Sequence, residues 1–124
     1  MPTILIVEDE VLFREGVQEV LELHGFVVIC AADGQEALAL LATVGVDLVI
    51  TNLAMPNMDG VEFVSRLRDS FPAIPILTIS GGSRVVSARF GLDSALLSGA
   101  NDSLTKPFNA KQLLEKVQKL LEVA

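Results

Sequence analysis

Several polar side chains in this sequence follow short apolar runs, at points where buried strands would end. The clearest is Asn52, which comes after the aliphatic block 48–50 and before a loop marked by Pro56, Asp59 and Gly60. Glu8, Asp9 and Ser80 also follow apolar runs, and Lys106 closes a short predicted strand at 103–105. In open α/β sheets ligands bind at the carboxyl ends of the strands, so these side chains are candidate site residues.

The residue types suit a metal ion and an anion. Two adjacent carboxylates, Glu8 and Asp9, together with an amide oxygen at Asn52, are ligands for a hard cation such as Mg²⁺. Ser80 and Lys106 supply hydrogen-bond donors for an anionic ligand such as a phosphoryl group. A plainer alternative explains each residue alone: Glu8 and Asp9 cap the next helix, and Lys106 pairs with them. The set together favours a site.

Hydrophobic periodicity places these residues in an alternating fold. Runs rich in aliphatic residues predict strands at 4–7, 26–31, 48–50 and 74–79, and the short segment 103–105, closed by Lys106-Pro107, is the predicted fifth strand. Five helices alternate with them, and right-handed crossovers put helices on both faces of a parallel sheet. We therefore predict a three-layer α/β/α domain with all the strand carboxyl ends at one edge.

Local signals delimit the predicted helices. Gly25 ends the first and Pro72 the third, whereas a helix over 84–100 is expected to be irregular because Gly91 interrupts it. Capping boxes start the second, third and last helices at Asp33/Glu36, Asp59/Glu62 and Asn109/Gln112. The apolar face of the second helix is predicted to comprise Ala37, Leu40, Leu41 and Val44.

Length and composition exclude several classes of protein. The 124 residues are 51% hydrophobic, which is enough for one cored domain spanning 1–124 without a linker or repeat. The net charge of -7 disfavours direct binding to nucleic acid or an anionic membrane. Without a signal segment or spanning run we expect a soluble, cytoplasmic protein. Cys30 is the only cysteine, so no internal disulfide can form.

Four segments together resemble the receiver domain of two-component response regulators. They are the first strand with the acidic turn that follows it (4–10), the loop after the third strand (53–60), the end of the fourth strand (77–80) and the Lys-Pro-Phe triplet (106–108). The resemblance spans essentially the whole chain. It implies a flavodoxin-like (βα)5 fold with strand order 2-1-3-4-5.

The resemblance also implies a mechanism. In the family, a histidine kinase or a small phosphodonor passes a phosphoryl group to an aspartate at the end of the third strand, with Mg²⁺ held nearby. Carried over to this sequence, Asp9, the Asn52 side chain and the Ala54 carbonyl would bind the metal, and Glu8 would do so through water. Ser80 and Lys106 would contact the phosphoryl oxygens. The implied partners are a sensor histidine kinase or phosphotransfer protein and a downstream protein.

Asn52 departs from the family pattern at the phosphoacceptor position. A carboxamide nitrogen has no available lone pair, and its neutral oxygen is a far weaker nucleophile than a carboxylate, so we predict no phosphorylation there. One negative charge near the metal is also lost, which at an effective dielectric near 20 and ~5 Å is worth a few kcal/mol. Mg²⁺ binding should therefore be weakened or lost.

Ser103 is a second departure, three residues before Lys106. The family usually carries an aromatic residue there, whose inward rotation follows phosphorylation, and serine has no ring to rotate. The segment between Ser80 and Lys106 is also longer than usual by about one helical turn. Both differences affect the surface that would contact a partner.

Two enzyme-like hypotheses compete with a non-enzymatic signalling domain. A Mg²⁺-dependent phosphohydrolase could use Asp9 as its nucleophile, but Val11 stands where a second aspartate would be needed. The polar turn at 80–83 has glycines like those of a nucleotide cradle. It lacks the Lys-Ser/Thr ending and the third glycine of a phosphate-binding loop. We therefore expect a receiver-type domain that works through protein contacts.

Overall fold

The computed structural model describes residues 1–53, 58–81 and 99–123 of the chain. The strands are β1 (Thr3–Val7), β2 (Val27–Ala31), β3 (Leu48–Asn52), β4 (Ile76–Ser80) and β5 (Asp102–Thr105). The helices are α1 (Val11–Leu23), α2 (Gly34–Leu41), α3 (Gly60–Ser70) and α4 (Ala110–Val123). The predicted irregular helix lies mostly at positions outside the described residues.

All strand pairs are parallel and the sheet order is β2-β1-β3-β4-β5, so the predicted topology is confirmed. Alternate residues of the central strands point to opposite faces, as the pleat requires. On one face Ile4 and Ile6 pack with α1 and α4, whereas on the other Leu5 and Val7 pack with α2 and α3. This arrangement is the three-layer α/β/α domain predicted from the sequence.

The predicted caps form as hydrogen bonds. Asp33 Oδ1 accepts from Glu36 N at 2.8 Å, and Asp59 Oδ1 accepts from Glu62 N at the same distance. At α4 the box is fully reciprocal, because Gln112 N donates to the Asn109 side chain and Asn109 N donates to the Gln112 side chain. These bonds satisfy backbone groups that a helix leaves unpaired at its start.

Some predicted boundaries were wrong by a few residues. Val44 does not belong to the apolar face of α2, because the helix ends at Leu41 and Val44 is partly exposed in the following turn. The fourth strand begins at Ile76 rather than 74, since Pro75 has no N–H for the ladder and contributes only its carbonyl, to Val49 N. Ser80 is the last residue of that strand rather than the first residue of the polar turn predicted at 80–83.

No helix among the described residues is long and apolar enough to cross a membrane.

Candidate functional site at the carboxyl edge of the sheet

The strand register brings the predicted site residues to one edge. Glu8 follows the last residue of β1, which is paired with Thr51 of β3, so Asn52 lies beside Glu8. On the other side of β3, Ser80 ends β4 opposite Thr105, and Lys106 follows. The backbone N–H of Lys106 donates to the Ser80 carbonyl at 2.8 Å and extends the ladder by one bond.

Glu8 is the centre of the side-chain network at this edge. Its residue surface is only 2% exposed. One carboxylate oxygen, Oε2, accepts from Asn52 Nδ2 at 2.9 Å and from Glu10 N at 3.2 Å. The other, Oε1, lies 3.4 Å from Lys106 Nζ. Both oxygens of this buried carboxylate therefore have donors within the chain.

Lys106 is held by an aromatic ring as well as by Glu8. Its Nζ lies 3.8 Å from the centroid of the Phe13 ring, a cation–π geometry. Phe13 meets Phe108 edge to face, with the ring centroids 5.8 Å apart. The peptide bond between Lys106 and Pro107 is cis. The ammonium is thus fixed between a ring from α1 and the carboxylate that follows β1.

The position of Asn52 depends on a close approach by the start of α3. Gly60 N donates to the Leu53 carbonyl at 2.9 Å. A Cβ at Gly60 would clash with the Leu53 Cα and would lie 2.8 Å from the carbonyl oxygens of Asn52 and Leu53. Only glycine fits there, so the Asp59-Gly60 pair serves both to cap α3 and to pack it against the end of β3.

The Ser80 hydroxyl is buried and has no hydrogen-bond partner within the part of the chain that the structure describes. Ser103 is half-buried on β5, opposite Thr78 of β4, and its backbone N–H donates to Asp102 Oδ1 at 2.8 Å. The side chain at this predicted switch position is a small hydroxyl at the same face of the sheet as Ser80.

Two further predicted metal ligands, Asp9 and Ala54, are not part of the hydrogen-bonded network around Glu8 that the described residues form. Asp9 is exposed beside Glu8, and Ala54 lies outside the described residues. The N-cap residue of α1 is Glu10, whose own side chain makes no cap bond, and Glu8 Oε2 accepts from the backbone N–H of Glu10. The alternative that Lys106 pairs with the acidic residues is right for Glu8.

The side chains do not fit a bound Mg²⁺ well. An ionised carboxylate only accepts hydrogen bonds, so the Asn52 amide must turn its N–H₂ group toward Glu8. The described residues contain no group of three carboxylate, histidine or cysteine side chains that could hold a metal. Mg²⁺ requires oxygen ligands around it, whereas this edge presents an ammonium and an amide donor to its buried carboxylate.

Two contacts were missed in the sequence. No spacing in the sequence pairs Phe13 with Phe108 or places Phe13 beside Lys106. Their ring pair forms the support of Lys106. The available signal was Phe108 itself, which lies two residues after Lys106 in the sequence.

The fold and the polar side chains at its carboxyl edge place the protein among the doubly wound, flavodoxin-like domains, in which the site lies at the carboxyl ends of the strands. The sequence matches the family model for the response regulator receiver domain over residues 4–118. The chain belongs to this family, which works in two-component signal transduction. Proteins of this kind receive signals from histidine kinases and act on downstream effectors.

Individual relatives agree with this assignment. The chain is 37% identical over 118 residues to response regulator MprA of Mycolicibacterium vanbaalenii, covering 95% of this chain and 49% of that protein. It thus spans about half the length of the curated relatives it matches. A CheY-like receiver domain protein from Methanospirillum hungatei superposes with a TM-score of 0.90 at 26% identity, covering 98% and 94% of the two chains. Chemotaxis regulator CheY4 of Vibrio cholerae gives 0.85 at 33%, covering 97% and 98%.

Proposed function

We propose that residues 1–124 form one receiver domain that does not accept a phosphoryl group at Asn52 and signals through protein contacts instead. The observation that carries the proposal is the 2.9 Å hydrogen bond from Asn52 Nδ2 to Glu8 Oε2. It engages the amide as a donor at the place where the family has a nucleophilic carboxylate.

The chemistry of the amide supports the blocked step. The nitrogen lone pair is delocalised into the carbonyl, and the neutral oxygen attacks phosphorus far less readily than a carboxylate. Glu8 does not supply a substitute, because it is buried and paired with Lys106. Without an acceptor the chain carries out no phosphoryl transfer of its own. We also propose that the domain does not catalyse any other reaction.

The partners belong to the same proposal. A sensor histidine kinase or phosphotransfer protein, and a downstream protein, are the proposed contacts. With Ser103 on β5 in place of an aromatic ring, the output surface would not be switched by ring rotation. The net charge of -7 favours protein partners over direct contact with nucleic acid. The cytoplasm is the proposed compartment.

The test compares the chain with its Asn52→Asp variant. Both are incubated with a small phosphodonor and Mg²⁺, and intact mass is measured. We expect the variant to gain one phosphoryl group and the original chain to gain none. Peptide mapping that places a phosphoryl group on Asn52 would contradict the proposal.

Beryllofluoride binding is a second measurement that does not depend on donor chemistry. Chemical shifts at Lys106 and Ser103 are followed in both chains with Mg²⁺ and beryllofluoride. A response confined to the Asn52→Asp chain supports a blocked acceptor in an otherwise intact site. An equal response in the original chain would show that its site still takes a phosphoryl-like group.

A further inference from the structure

We infer that Asn52, Glu8 and Lys106 form an internal bridge that replaces Mg²⁺ at this edge of the sheet, so that the folded chain gains no stability from the metal. The inference deepens the proposed function, because it concerns the same site and rests on the neutral side chain of Asn52. It adds a claim about metal dependence that the blocked phosphoryl transfer does not require.

The first step is the requirement of a buried carboxylate for donors. Glu8 is 2% exposed, and an ionised group removed from water in this way must be paired or hydrogen-bonded. The chain meets the requirement from within. Asn52 Nδ2 and Glu10 N donate hydrogen bonds to Glu8 Oε2, and Lys106 Nζ pairs with Glu8 Oε1. No external cation is needed to satisfy this carboxylate.

The second step is charge. Glu8 and Asp9 carry two negative charges, Lys106 carries one positive charge and Asn52 carries none. A divalent cation bound at Glu8 would lie near an ammonium that is 3.4 Å from the same carboxylate and is also held over the Phe13 ring. The repulsion between the two cations opposes binding, and moving the ammonium away would break the cation–π contact.

The third step is the effect of replacing one atom, the amide nitrogen of Asn52, with the oxygen of an aspartate. Replacing Asn52 with aspartate converts the N–H donor 2.9 Å from Glu8 Oε2 into a second carboxylate oxygen. Two like charges at hydrogen-bonding distance repel strongly in a buried setting. A cation between them would relieve the repulsion. The variant is therefore expected to require the metal that the original chain does without.

The experiment measures Tm of the 124-residue chain and of two variants, Asn52→Asp and Asn52→Ala, in chelator and in millimolar MgCl₂. The original chain is expected to show the same Tm in both solutions. Asn52→Asp should lose on the order of 10 °C in chelator and recover most of it with Mg²⁺. Asn52→Ala, which only removes the donor, should lose stability that Mg²⁺ does not restore.

Asn109→Asp is the matched control. It makes the same chemical change at an exposed capping residue, where aspartate also serves as a cap. Its Tm should not respond to Mg²⁺. A Mg²⁺ response at Asn109→Asp equal to that at Asn52→Asp would show a general charge effect and overturn the inference.

Calorimetric titration with MgCl₂ alone keeps the inference testable if a variant does not fold. The original chain should show no saturable binding, or binding at least about tenfold weaker than Asn52→Asp. A rise in Tm with Mg²⁺ in the original chain, or saturable binding as tight as in the variant, would overturn the bridge. Either result would leave the blocked acceptor standing, whereas a phosphoryl group on Asn52 would overturn the proposed function alone.

Discussion

Two partly buried cations in this molecule are held in opposite ways. Lys106, at the carboxyl edge of the sheet, faces the charged carboxylate of Glu8 and the ring of Phe13. Arg68, near the end of α3, instead donates five hydrogen bonds to neutral oxygens within the described residues. They are the carbonyls of Phe71, Pro72 and Gly99, the last bonded twice, and the side chain of Asn101.

The Lys106 cluster belongs to the candidate functional site, whereas the cluster of Arg68 with Phe71, Pro72, Gly99 and Asn101 is a structural link, called the Arg68 clamp below. The Lys106 cluster depends on charge, so one change of charge at Asn52 or binding of one ion alters its balance. The Arg68 cluster has no counter-charge among its bonded partners, and burial alone lowers the pKa of its guanidinium from the usual value. Its fork of N–H groups meets fixed carbonyls and ties the end of α3 to the chain entering β5.

Asn101 shows why the clamp is structural. Its Oδ1 accepts from Arg68 Nη2 and from the backbone N–H of Ile76, both at 2.8 Å. One amide oxygen thus links the helix to the first residue of β4 and to the start of β5. No metal or phosphoryl chemistry is involved in that link, so its contribution should be to stability alone.

The largest effect is expected for Arg68→Ala. Loss of the five hydrogen bonds should lower the free energy of unfolding by about 3 kcal/mol, since bonds to charged groups are worth about 1.5–3 kcal/mol each and are not additive. Urea unfolding measures the change. Arg66→Ala is the matched control, because Arg66 pairs with Glu62 on the exposed face of α3 and its loss should cost less than about 0.5 kcal/mol. Equal losses in the two variants would contradict the clamp.

Lys106→Met should have the next largest effect, a loss of about 2 kcal/mol. The buried Glu8 would lose its counter-charge, whereas methionine keeps much of the apolar contact with Phe13. Adding Glu8→Gln should recover part of that loss, because a neutral amide no longer needs the ammonium. A double-mutant cycle in urea measures this coupling, and additive losses would show that the two side chains act independently.

Features that depend on residues close together in the sequence could be predicted, whereas contacts between distant residues could not. The fold was predictable because its signals are local: apolar runs of about five residues, capping boxes three residues apart, and glycine or proline at helix ends. The convergence of Glu8, Asn52, Ser80 and Lys106 followed from parallel strands alone. The family resemblance then supplied the expected roles.

The pairing within each region could not be predicted in the same way. The bond from Asn52 to Glu8 spans 44 residues, and the pair of Lys106 with Glu8 spans 98. Arg68 bonds Asn101, which is 33 residues away in the sequence. From the sequence alone, Arg68 would be expected to be an ordinary exposed arginine on an amphipathic helix. Such partners depend on register and on side-chain reach, and no local pattern specifies them.

Gly99→Ala tests the clamp from its acceptor side. Gly99 has φ of 123°, and a Cβ there would lie 2.9 Å from Arg68 Cγ. Backbone strain and this contact together should cost about 1–2 kcal/mol. In an Arg68→Ala background the contacts with Cγ and Nε disappear and only the Arg68 Cβ contact at 3.2 Å is left, so the same substitution should cost less. An unchanged cost in that background would show that the contacts with Cγ and Nε do not contribute to the penalty.

The smallest effect is expected for Lys116→Met, which provides a third, more exposed cation for comparison. Lys116 Nζ lies 3.0 and 3.1 Å from the two oxygens of Asp102, and the side chains are 36% and 26% exposed. Solvent screens such a pair, so the loss should be about 0.5 kcal/mol and should shrink further in high salt. Urea unfolding at low and high ionic strength measures it beside Lys106→Met. If both losses shrink equally with salt, Lys106 is screened like a surface residue, and its distinction from Lys116 fails.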